Sequence, residues 1–314
     1  MMKTDNWLNI YQDQLLVSFY KKRGKAIAIP HIVNAIDRLI VNKQKGPIRI
    51  LDIGCGKGDL LCVLSEICQK LNIGRKIELY GLDKEKHLLA MASSNPCINA
   101  KFFYKDITRT KASDFIVKFD LIIAINTLHE VFSSFLGVGH DSFPDGPFNS
   151  TQKMMQNVIH ELSESLSSWG SIIIYDGLAP DNPEEEISFK FVDQGLKSLL
   201  DRMAKENKIW KLKYRENGNI IYMSTRDFLR FISTFKYLNS ELWEIEAEEN
   251  YFYFTFQQFR NILRESGLKL NSVVKLSNDL DLWQNAVELQ AGAEFPFKSC
   301  LMMASKQYLP EKII

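Results

Sequence analysis

The sequence lacks a long apolar run, a basic leader and a large net charge. None of its apolar stretches approaches the roughly 18 residues of a membrane-spanning helix. The first residues, 1–6, have neither the basic nor the apolar region of a secretory signal. The 39 basic and 38 acidic residues leave a net charge of +1, without the broad footprint of a protein that coats nucleic acid. We therefore expect a cytoplasmic protein with no membrane partner, and the charge does not favour nucleic acid.

Cysteine is also scarce. The five cysteines are odd in number and include no Cys-x-x-Cys pair. We expect reduced, mostly buried thiols, because cytoplasmic proteins keep cysteine in that form. Cys62 and Cys68 follow a glycine-rich turn, and we interpret both as packing residues rather than metal ligands.

What the chain does contain is an alternation of short apolar runs with helical segments. With 46% hydrophobic and 25% charged residues, the composition is typical of a globular protein with a full core. Strands are predicted at 48–53, 77–82, 101–104, 119–125 and 171–176. Helices are predicted near 59–72, 84–93 and 151–167. This order predicts an α/β fold in which helices cover both faces of a parallel sheet.

Other segments depart from this alternation. The apolar periodicity of residues 5–45 predicts helices, and residues 181–250 are charged and aromatic, which we interpret as a helical insertion. The insertion is either a lid over a substrate pocket or an accessory layer that shields the sheet. The predicted division of the chain is an amino-terminal cap, a cofactor-binding core, the insertion and the remainder of the core, at 1–46, 47–180, 181–250 and 251–314.

A glycine turn follows the first strand. Residues 48–53 lead into Gly54-x-Gly56-x-Gly58 and then into a helical segment, an arrangement that brings bare backbone and a helix amino terminus against a nucleotide cofactor. The spacing differs from the G-x-G-x-x-G of dinucleotide sites, with Asp59 in place of the third glycine. A carboxylate there repels a pyrophosphate, which argues against a hydride-transferring dehydrogenase. It suits a cationic cofactor without phosphate, such as S-adenosylmethionine.

Further carboxylates stand at strand ends. Asp83 ends the second strand, where a carboxylate can accept hydrogen bonds from both hydroxyls of a ribose. Asp106 follows the third strand and can accept a hydrogen bond from an adenine amino group, with Ile107 packed on the ring. For Asp106 the alternative is a helix cap or turn residue.

The fourth strand ends in Asn126-Thr127-Leu128-His129-Glu130. With the glycine turn and the acidic strand ends, this segment resembles class I S-adenosylmethionine-dependent methyltransferases, closely over 48–180 and loosely over the last 60 residues. The resemblance implies a doubly wound, seven-stranded, mostly parallel Rossmann-like sheet. A final antiparallel hairpin would come from 268–276 and 299–306.

The resemblance also implies S-adenosylmethionine as cofactor and S-adenosylhomocysteine as product. Asp52, Gly54 and Gly56 would shape the pocket for the amino-acid moiety, Asp83 would hold the ribose and Asp106 the adenine. The full set of predicted cofactor residues is Asp52, Gly54, Cys55, Gly56, Asp83, Lys84, Asp106, Ile107, Asn126 and Thr127.

Methyl transfer also needs a group that removes a proton from the acceptor. His129 is the first candidate base, with Glu130 able to orient it or act instead, and the alternative is that both only stabilise the helix that begins there. His140, on a glycine-rich loop, is a further candidate. His140, Asp141 and Asp145 could suggest a divalent metal, but solvation of the loop explains them better, and we expect no metal.

The expected acceptor is a small or medium-sized molecule that the aromatic insertion can enclose. Asp176, Tyr251 and Tyr253 are candidate substrate contacts, although core packing also explains the tyrosines. An oxygen or nitrogen nucleophile is expected rather than carbon. The segment at 126–129 lacks the Asn-Pro-Pro-Tyr pattern of enzymes that methylate exocyclic amines of bases.

Two alternatives remain open. One is an RNA or protein methyltransferase that docks through basic residues in the segment 205–236. The other is a non-catalytic partner protein that keeps the fold, although such a protein has no need of the glycine turn and acidic strand ends. A homodimer also stays open.

Overall fold

The computed structural model describes residues 27–43, 45–70, 72–136, 147–193, 195–206, 212–241, 243–247, 249–277, 280–290 and 292–306. Its strands are β1 (Ile48–Ile53), β2 (Ile77–Asp83), β3 (Ala100–Tyr104), β4 (Phe119–Ile125), β5 (Leu166–Gly177), β6 (Glu186–Phe191), β7 (Tyr214–Asn217), β8 (Ile220–Ser224), β9 (Leu268–Leu276), β10 (Val287–Leu289) and β11 (Ser299–Lys306). Its helices are α1 (Ala28–Asn42), α2 (Asp59–Lys70), α3 (Lys86–Ser94), α4 (Leu128–Leu136), α5 (Pro147–Ser165), α6 (Gly195–Glu206), α7 (Thr225–Thr234), α8 (Trp243–Glu246), α9 (Phe256–Glu265) and α10 (Leu280–Ala286). Of the helices predicted over 5–45, α1 lies within the described residues, and residues 1–26 lie outside them.

Seven strands form the main sheet in the order β3-β2-β1-β4-β5-β11-β9. Strands β1 to β5 are parallel, whereas β11 runs antiparallel to both of its neighbours, β5 and β9. This confirms the predicted α/β fold with a mostly parallel sheet and a final antiparallel hairpin. Strand order reverses between β1 and β4, and ligands bind at the carboxyl ends of strands beside such a point.

The central strands are apolar because helices cover both of their faces. Every residue of β4 is buried, and over residues 121–125 the side chains alternate between two hydrophobic clusters, one on each face of the sheet. Helices α1 and α2 contribute to one cluster, and α4, α5 and α9 contribute to the other. The sheet is therefore a rigid support for the loops at its carboxyl edge.

The insertion differs from the helical segment that the sequence predicted. It contains helices α6 and α7, but also a four-stranded antiparallel sheet in the order β10-β6-β8-β7. Strand β6 buries Ile187, Phe189 and Phe191 on alternate positions, which is the period of a strand rather than of a helix. The aromatic residues of this segment pack into a separate hydrophobic core. The prediction of an entirely helical insertion is therefore wrong, because the apolar residues of β6 recur at the two-residue period of a strand.

The small sheet also takes a strand from later in the chain. Strand β10 pairs with β6, although residues 287–289 belong to the segment predicted to continue the main core. Trp283, in the preceding helix α10, is fully buried in the core of the insertion. The four-part division of the chain stays a prediction, but this part of 251–314 packs with the insertion.

Two cysteines depart from the expected reduced state. Cys62 on α2 and Cys97 after α3 form a disulfide, with their Cα atoms 5.4 Å apart. No local pattern predicts this pair, because 35 residues separate the two cysteines. Cys55, Cys68 and Cys300 are free and buried, as expected.

Within the described ranges, no helix combines the length and the apolar character that crossing a membrane requires.

Candidate functional site

The glycine turn closes against the neighbouring strand. The amides of Gly54 and Cys55 both donate hydrogen bonds to the carbonyl of Leu82, at 2.8 and 3.1 Å. Gly54 has a φ of +66°, and a Cβ added there would lie 2.5 Å from Cγ2 of Thr127. A side chain at this position would therefore be both strained and sterically blocked. The turn leaves backbone exposed beside the amino terminus of α2, which is the basis of a ligand cradle.

Asp83 joins this turn to the end of β2. Its Oδ2 accepts a hydrogen bond from the amide of Gly56 and its Oδ1 accepts one from the amide of Glu85, each at 2.8 Å. Each carboxylate oxygen can accept a second hydrogen bond, so the group can fix the turn and still bind a ligand hydroxyl.

Asp106 caps the short 3-10 turn Ile107–Arg109. Its Oδ1 accepts hydrogen bonds from the amide and the hydroxyl of Thr108, at 2.9 and 2.8 Å. The capping role left open by the sequence is therefore present. It does not remove Asp106 from the ligand site, because the residue also lines the cavity described below.

The residues that follow β4 form hydrogen bonds with both neighbouring strands, β1 and β5. Asn126 adopts a φ of +49°, and its amide donates to the carbonyl of Tyr175 on β5 at 2.8 Å. The hydroxyl of Thr127 donates to the carbonyl of Ile53 on β1 at 3.0 Å. These bonds hold the chain that leaves β4 against the reversal point of the sheet.

The ends of β1, β2 and β4 and the turn after β3 enclose a cavity of ≈ 760 Å³. This volume lies within the range of about 300–1,000 Å³ found for small-molecule sites. All the residues predicted to contact the cofactor line it, namely Asp52, Gly54, Cys55, Gly56, Asp83, Lys84, Asp106, Ile107, Asn126 and Thr127. Whether each of them contacts a cofactor stays a prediction, but the structure brings them together.

The cavity has a chemistry that fits an adenosyl group attached to an amino acid. Carboxylates at two strand ends can accept hydrogen bonds from hydroxyl and amino groups, and Ile107 and Leu82 offer apolar surface for a ring. Burial raises the pKa of the Cys55 thiol, and the carboxylates of Asp52 and Asp83 raise it further. Cys55 is therefore a neutral wall residue and not a nucleophile.

The wall also contains residues that the sequence did not single out. They are Ile53, Lys57, Leu60, Leu82, Glu85, Leu88, Lys105, Thr108, Arg109, Ile125, Val131 and Ser134, whereas Asp59, which the glycine spacing already singled out, also lines the cavity. Most adjoin a predicted residue along the chain, so extending each motif by one or two positions would have found them. Ser134 lies one helical turn beyond Glu130 on α4, and Leu88 lies on α3, and only the position of each helix places these two residues at the cavity.

His129 lies behind the cavity rather than in its wall. The side chain is buried, and Nδ1 lies 2.7 Å from Oδ1 of Asp176 while Nε2 lies 3.7 Å from a carboxylate oxygen of Glu249. Burial alone would lower the pKa of the imidazole, but the charge and hydrogen bond of Asp176, with further help from Glu249, raise it above its usual value. The ring therefore favours its protonated form, which holds these carboxylates in place.

Asp176 is a structural carboxylate. It is fully buried, and its Oδ2 accepts hydrogen bonds from the amides of Leu128 and His129, at 2.8 and 3.2 Å. Its Oδ1 accepts from the amide of Gly177 at 2.7 Å. Asp176 thus caps the start of α4 and is not part of this cavity's wall, and its contact with a substrate stays a prediction.

The two candidate tyrosines are also absent from the wall of this cavity. Tyr251 packs on the His129 ring, with centroids 4.3 Å apart. Tyr253 is buried among Phe132, Phe254 and Phe259, as the core-packing alternative predicted.

Glu130 is the predicted base that does line the cavity. Partial burial raises the pKa of its carboxyl group, and the carboxylates of Glu249 and Asp176 add to the shift against the opposing charge of His129. His140, Asp141 and Asp145 lie outside the described residues.

Comparison with known proteins gives one family. A family model described as a methyltransferase domain matches residues 44–243, more than half of the 314-residue chain. No curated protein sequence matches the chain.

Several solved structures are similar at low identity. The complex of LepI with SAM is 11% identical over 87% of this chain and 46% of LepI, with a TM-score of 0.44, so the chain spans less than half of LepI. An S-adenosylmethionine-dependent methyltransferase from Clostridium acetobutylicum is 11% identical over 93% of this chain and 98% of the other, with a TM-score of 0.45. Magnesium protoporphyrin IX methyltransferase from Synechocystis with bound SAM is 12% identical over 96% of this chain and 90% of the other, with a TM-score of 0.39.

Proposed function

The chain belongs to the methyltransferase-domain family, and from this premise we propose that it is an S-adenosylmethionine-dependent enzyme that methylates an oxygen or nitrogen atom of a small or medium-sized molecule. The supporting observation is the cavity of ≈ 760 Å³, in which the predicted cofactor residues share one wall with Glu130 of α4. A site of this kind takes a cofactor together with a compact acceptor more readily than a polymer.

The cofactor-binding part of the proposal assigns a role to each group of wall residues. Asp83 would hold the ribose hydroxyls, Asp106 the adenine amino group, and Asp52 with the glycine turn the amino-acid moiety. When bound, S-adenosylmethionine supplies a methyl group made electrophilic by a positively charged sulfur. The chain contributes by aligning the acceptor behind that methyl group and excluding water.

Glu130 is the group that we assign to proton removal. Glu130 lines the cavity, and the raised pKa of its carboxyl group makes the carboxylate a stronger base than that of an ordinary glutamate. His129 is assigned a positioning role, because its ring is buried and its Nδ1 is bonded to Asp176. This reverses the order of preference between the two residues that the sequence alone indicated.

The acceptor class can be tested with labelled cofactor. The purified chain is incubated with S-adenosylmethionine carrying a labelled methyl group and with separate pools of phenols, carboxylic acids, amines, RNA and peptides. We expect the label in a low-molecular-weight product. Label found only in RNA or peptides would contradict the proposal, and the absence of S-adenosylhomocysteine formation with every pool would favour a non-catalytic partner.

Glu130→Gln tests the assigned base. With an acceptor from that experiment, we expect kcat to fall by about 100-fold, because the variant cannot accept a proton, while calorimetry shows unchanged S-adenosylhomocysteine affinity. Glu85→Gln is the matched control, since Glu85 also lines the cavity but stands at the start of α3. If the Glu130→Gln variant keeps the full kcat, Glu130 is not the base.

A further inference from the structure

The cofactor site has a disulfide close behind its glycine turn. The Cys62 amide donates a hydrogen bond to the carbonyl of Gly58, the last glycine of the turn, at 2.9 Å. Cys97 precedes Ile98, and Ile98 packs so closely on Gly58 that a Cβ added to the glycine would lie 2.4 Å from Cδ1 of Ile98. Cys62 is thus hydrogen-bonded to Gly58, and Cys97 is covalently linked to the residue that packs on Gly58.

Both cysteines are accessible for exchange. Each is partly exposed, in contrast to the three buried free cysteines, Cys55, Cys68 and Cys300. A second cavity, of ≈ 780 Å³, is lined by Cys97 together with Glu66 and Pro96. A small thiol or disulfide therefore has a route to the pair, and exchange requires such access.

We propose that Cys62 and Cys97 form a reversible redox-modification site that sets the affinity of the glycine turn for the cofactor. The bond connects α2, which continues from the turn, with the segment that supports the turn through Ile98. Oxidation restrains both segments in the arrangement that forms the cavity, so less freedom is lost on binding. The oxidised chain therefore binds the cofactor more tightly than the reduced chain.

The modification is a thiol–disulfide exchange. The thiols of Cys62 and Cys97 form one S–S bond, and a low-molecular-weight disulfide such as oxidised glutathione takes the two electrons and two protons to become two thiols. Reduction reverses these steps. The inference rests on the cofactor site, not on the identity of the acceptor.

Glu66 lies beside the two cysteines, and a test must therefore exclude metal binding by these three residues. Ligand atoms of Cys62, Glu66 and Cys97 all lie within 4.8 Å of one another, close enough for a thiophilic metal ion to be captured by the reduced thiols. A chelator is therefore present in every measurement, so that a difference between the two states reports the S–S bond.

The test measures S-adenosylhomocysteine affinity by calorimetry for the full chain, once oxidised with glutathione disulfide and once reduced with a phosphine. We expect the oxidised form to bind at least about fivefold more tightly, the lower end of usual coupling between sites. The double variant Cys62→Ser/Cys97→Ser should have one affinity, insensitive to oxidant and close to that of the reduced chain. Cys68→Ser, a cysteine on the same helix outside the pair, should keep the full response.

A second measurement uses the unmodified chain alone. By linkage, saturating S-adenosylhomocysteine must raise the ratio of disulfide to dithiol in a glutathione buffer by the same factor, which mass spectrometry of the Cys62 and Cys97 peptides measures. Equal affinities of the oxidised and reduced chain, or an unchanged ratio, would overturn the proposal. Absence of binding by both forms would overturn the cofactor site itself, which is a distinct failure.

Discussion

At the scale of single residues, Asp83 shows how one side chain both shapes the site and serves it. Its two oxygens accept hydrogen bonds from the amides of Gly56 and Glu85, so the glycine turn and the start of α3 depend on the same carboxylate. A charged acceptor of backbone amides contributes more than a neutral one. Removal of Asp83 therefore affects the form of the cavity as well as its ligand contacts.

Asp83→Ala should weaken S-adenosylhomocysteine binding at least about tenfold, because a charge-assisted hydrogen bond contributes roughly 1.5–3 kcal/mol. Isothermal titration calorimetry measures this change. Glu78→Ala is the control, since Glu78 lies on the same strand but outside the cavity wall. Equal losses in the two variants would show that the effect is general destabilisation of β2.

Gly54→Ala tests the close approach of the turn to Thr127. The added methyl group would meet Cγ2 at 2.5 Å, and we expect a loss of about 2 kcal/mol of folding stability from strain and displacement together. The matched variant is Gly46→Ala, whose φ of +73° is similarly strained but whose surroundings are open within 4 Å. Chemical denaturation measures the folding stability of both variants. If Gly54→Ala loses no more stability than Gly46→Ala, the Thr127 side chain moves aside without destabilising the fold.

At the scale of elements, the start of α4 connects three parts of the chain. Asp176 on β5 accepts from the first amides of the helix, and the His129 imidazole lies between Asp176 and Glu249. Ser133, one turn later, accepts a hydrogen bond from the amide of Asn250 at 2.6 Å. The segment that returns from the insertion is thereby fixed against the helix that presents Glu130.

His129→Gln should lower the free energy of unfolding by about 3 kcal/mol at pH values below 6.5, because Asp176 loses its buried charged partner. The folded-state pKa of His129 is raised, so its contribution is complete below the unfolded pKa and is lost as pH rises through the folded pKa. Chemical denaturation at a series of pH values from below 6.5 upward measures the free energy of unfolding of both proteins. The difference in this free energy between wild type and variant should become smaller as the pH rises.

The control for that experiment is His87→Gln, since the His87 side chain is mostly exposed and lies outside this network. A difference between wild type and His129→Gln that stays constant over the whole pH range would mean that the imidazole stabilises the fold by packing alone.

At the scale of the whole molecule, three arginines of the basic segment 205–236 are paired with carboxylates in the described part of the insertion, which argues against RNA docking there. Arg215 pairs with Glu186 at 2.8 Å, and Arg226 pairs with Glu184 at 2.6 Å. Arg230 lies 3.4 Å from Asp227. Lys208 and Lys211 lie outside the described residues. Pairing with carboxylates reduces the local potential that attracts phosphate.

A labelled RNA hairpin should therefore show no saturable binding to the full chain at physiological salt, with a Kd weaker than about 10⁻⁴ M. Fluorescence anisotropy measures it. Tighter binding that weakens with added salt, and that is lost on Lys205→Glu/Lys213→Glu substitution, would revive the alternative of an RNA substrate.

Local patterns predicted the main sheet well. The apolar runs at 48–53, 119–125 and 299–306 coincide with the observed bounds of β1, β4 and β11, because a strand that is buried on both faces is a nearly continuous apolar run. The same reasoning missed β6 and β8 of the insertion. Their alternating pattern is short, and the local sign of β8 is the two-residue turn at 218–219, which joins β7 to β8 as a hairpin.

The sequence by itself determined the fold class, the glycine turn and the carboxylates at strand ends, because these depend on residues that are close along the chain. Only the tertiary structure decided that His129 lies behind the cavity while Glu130 lines it, and that Cys62 meets Cys97. Those outcomes depend on how separate elements pack against each other. A helix rotated by one residue would exchange the two side chains, and no local pattern specifies that rotation.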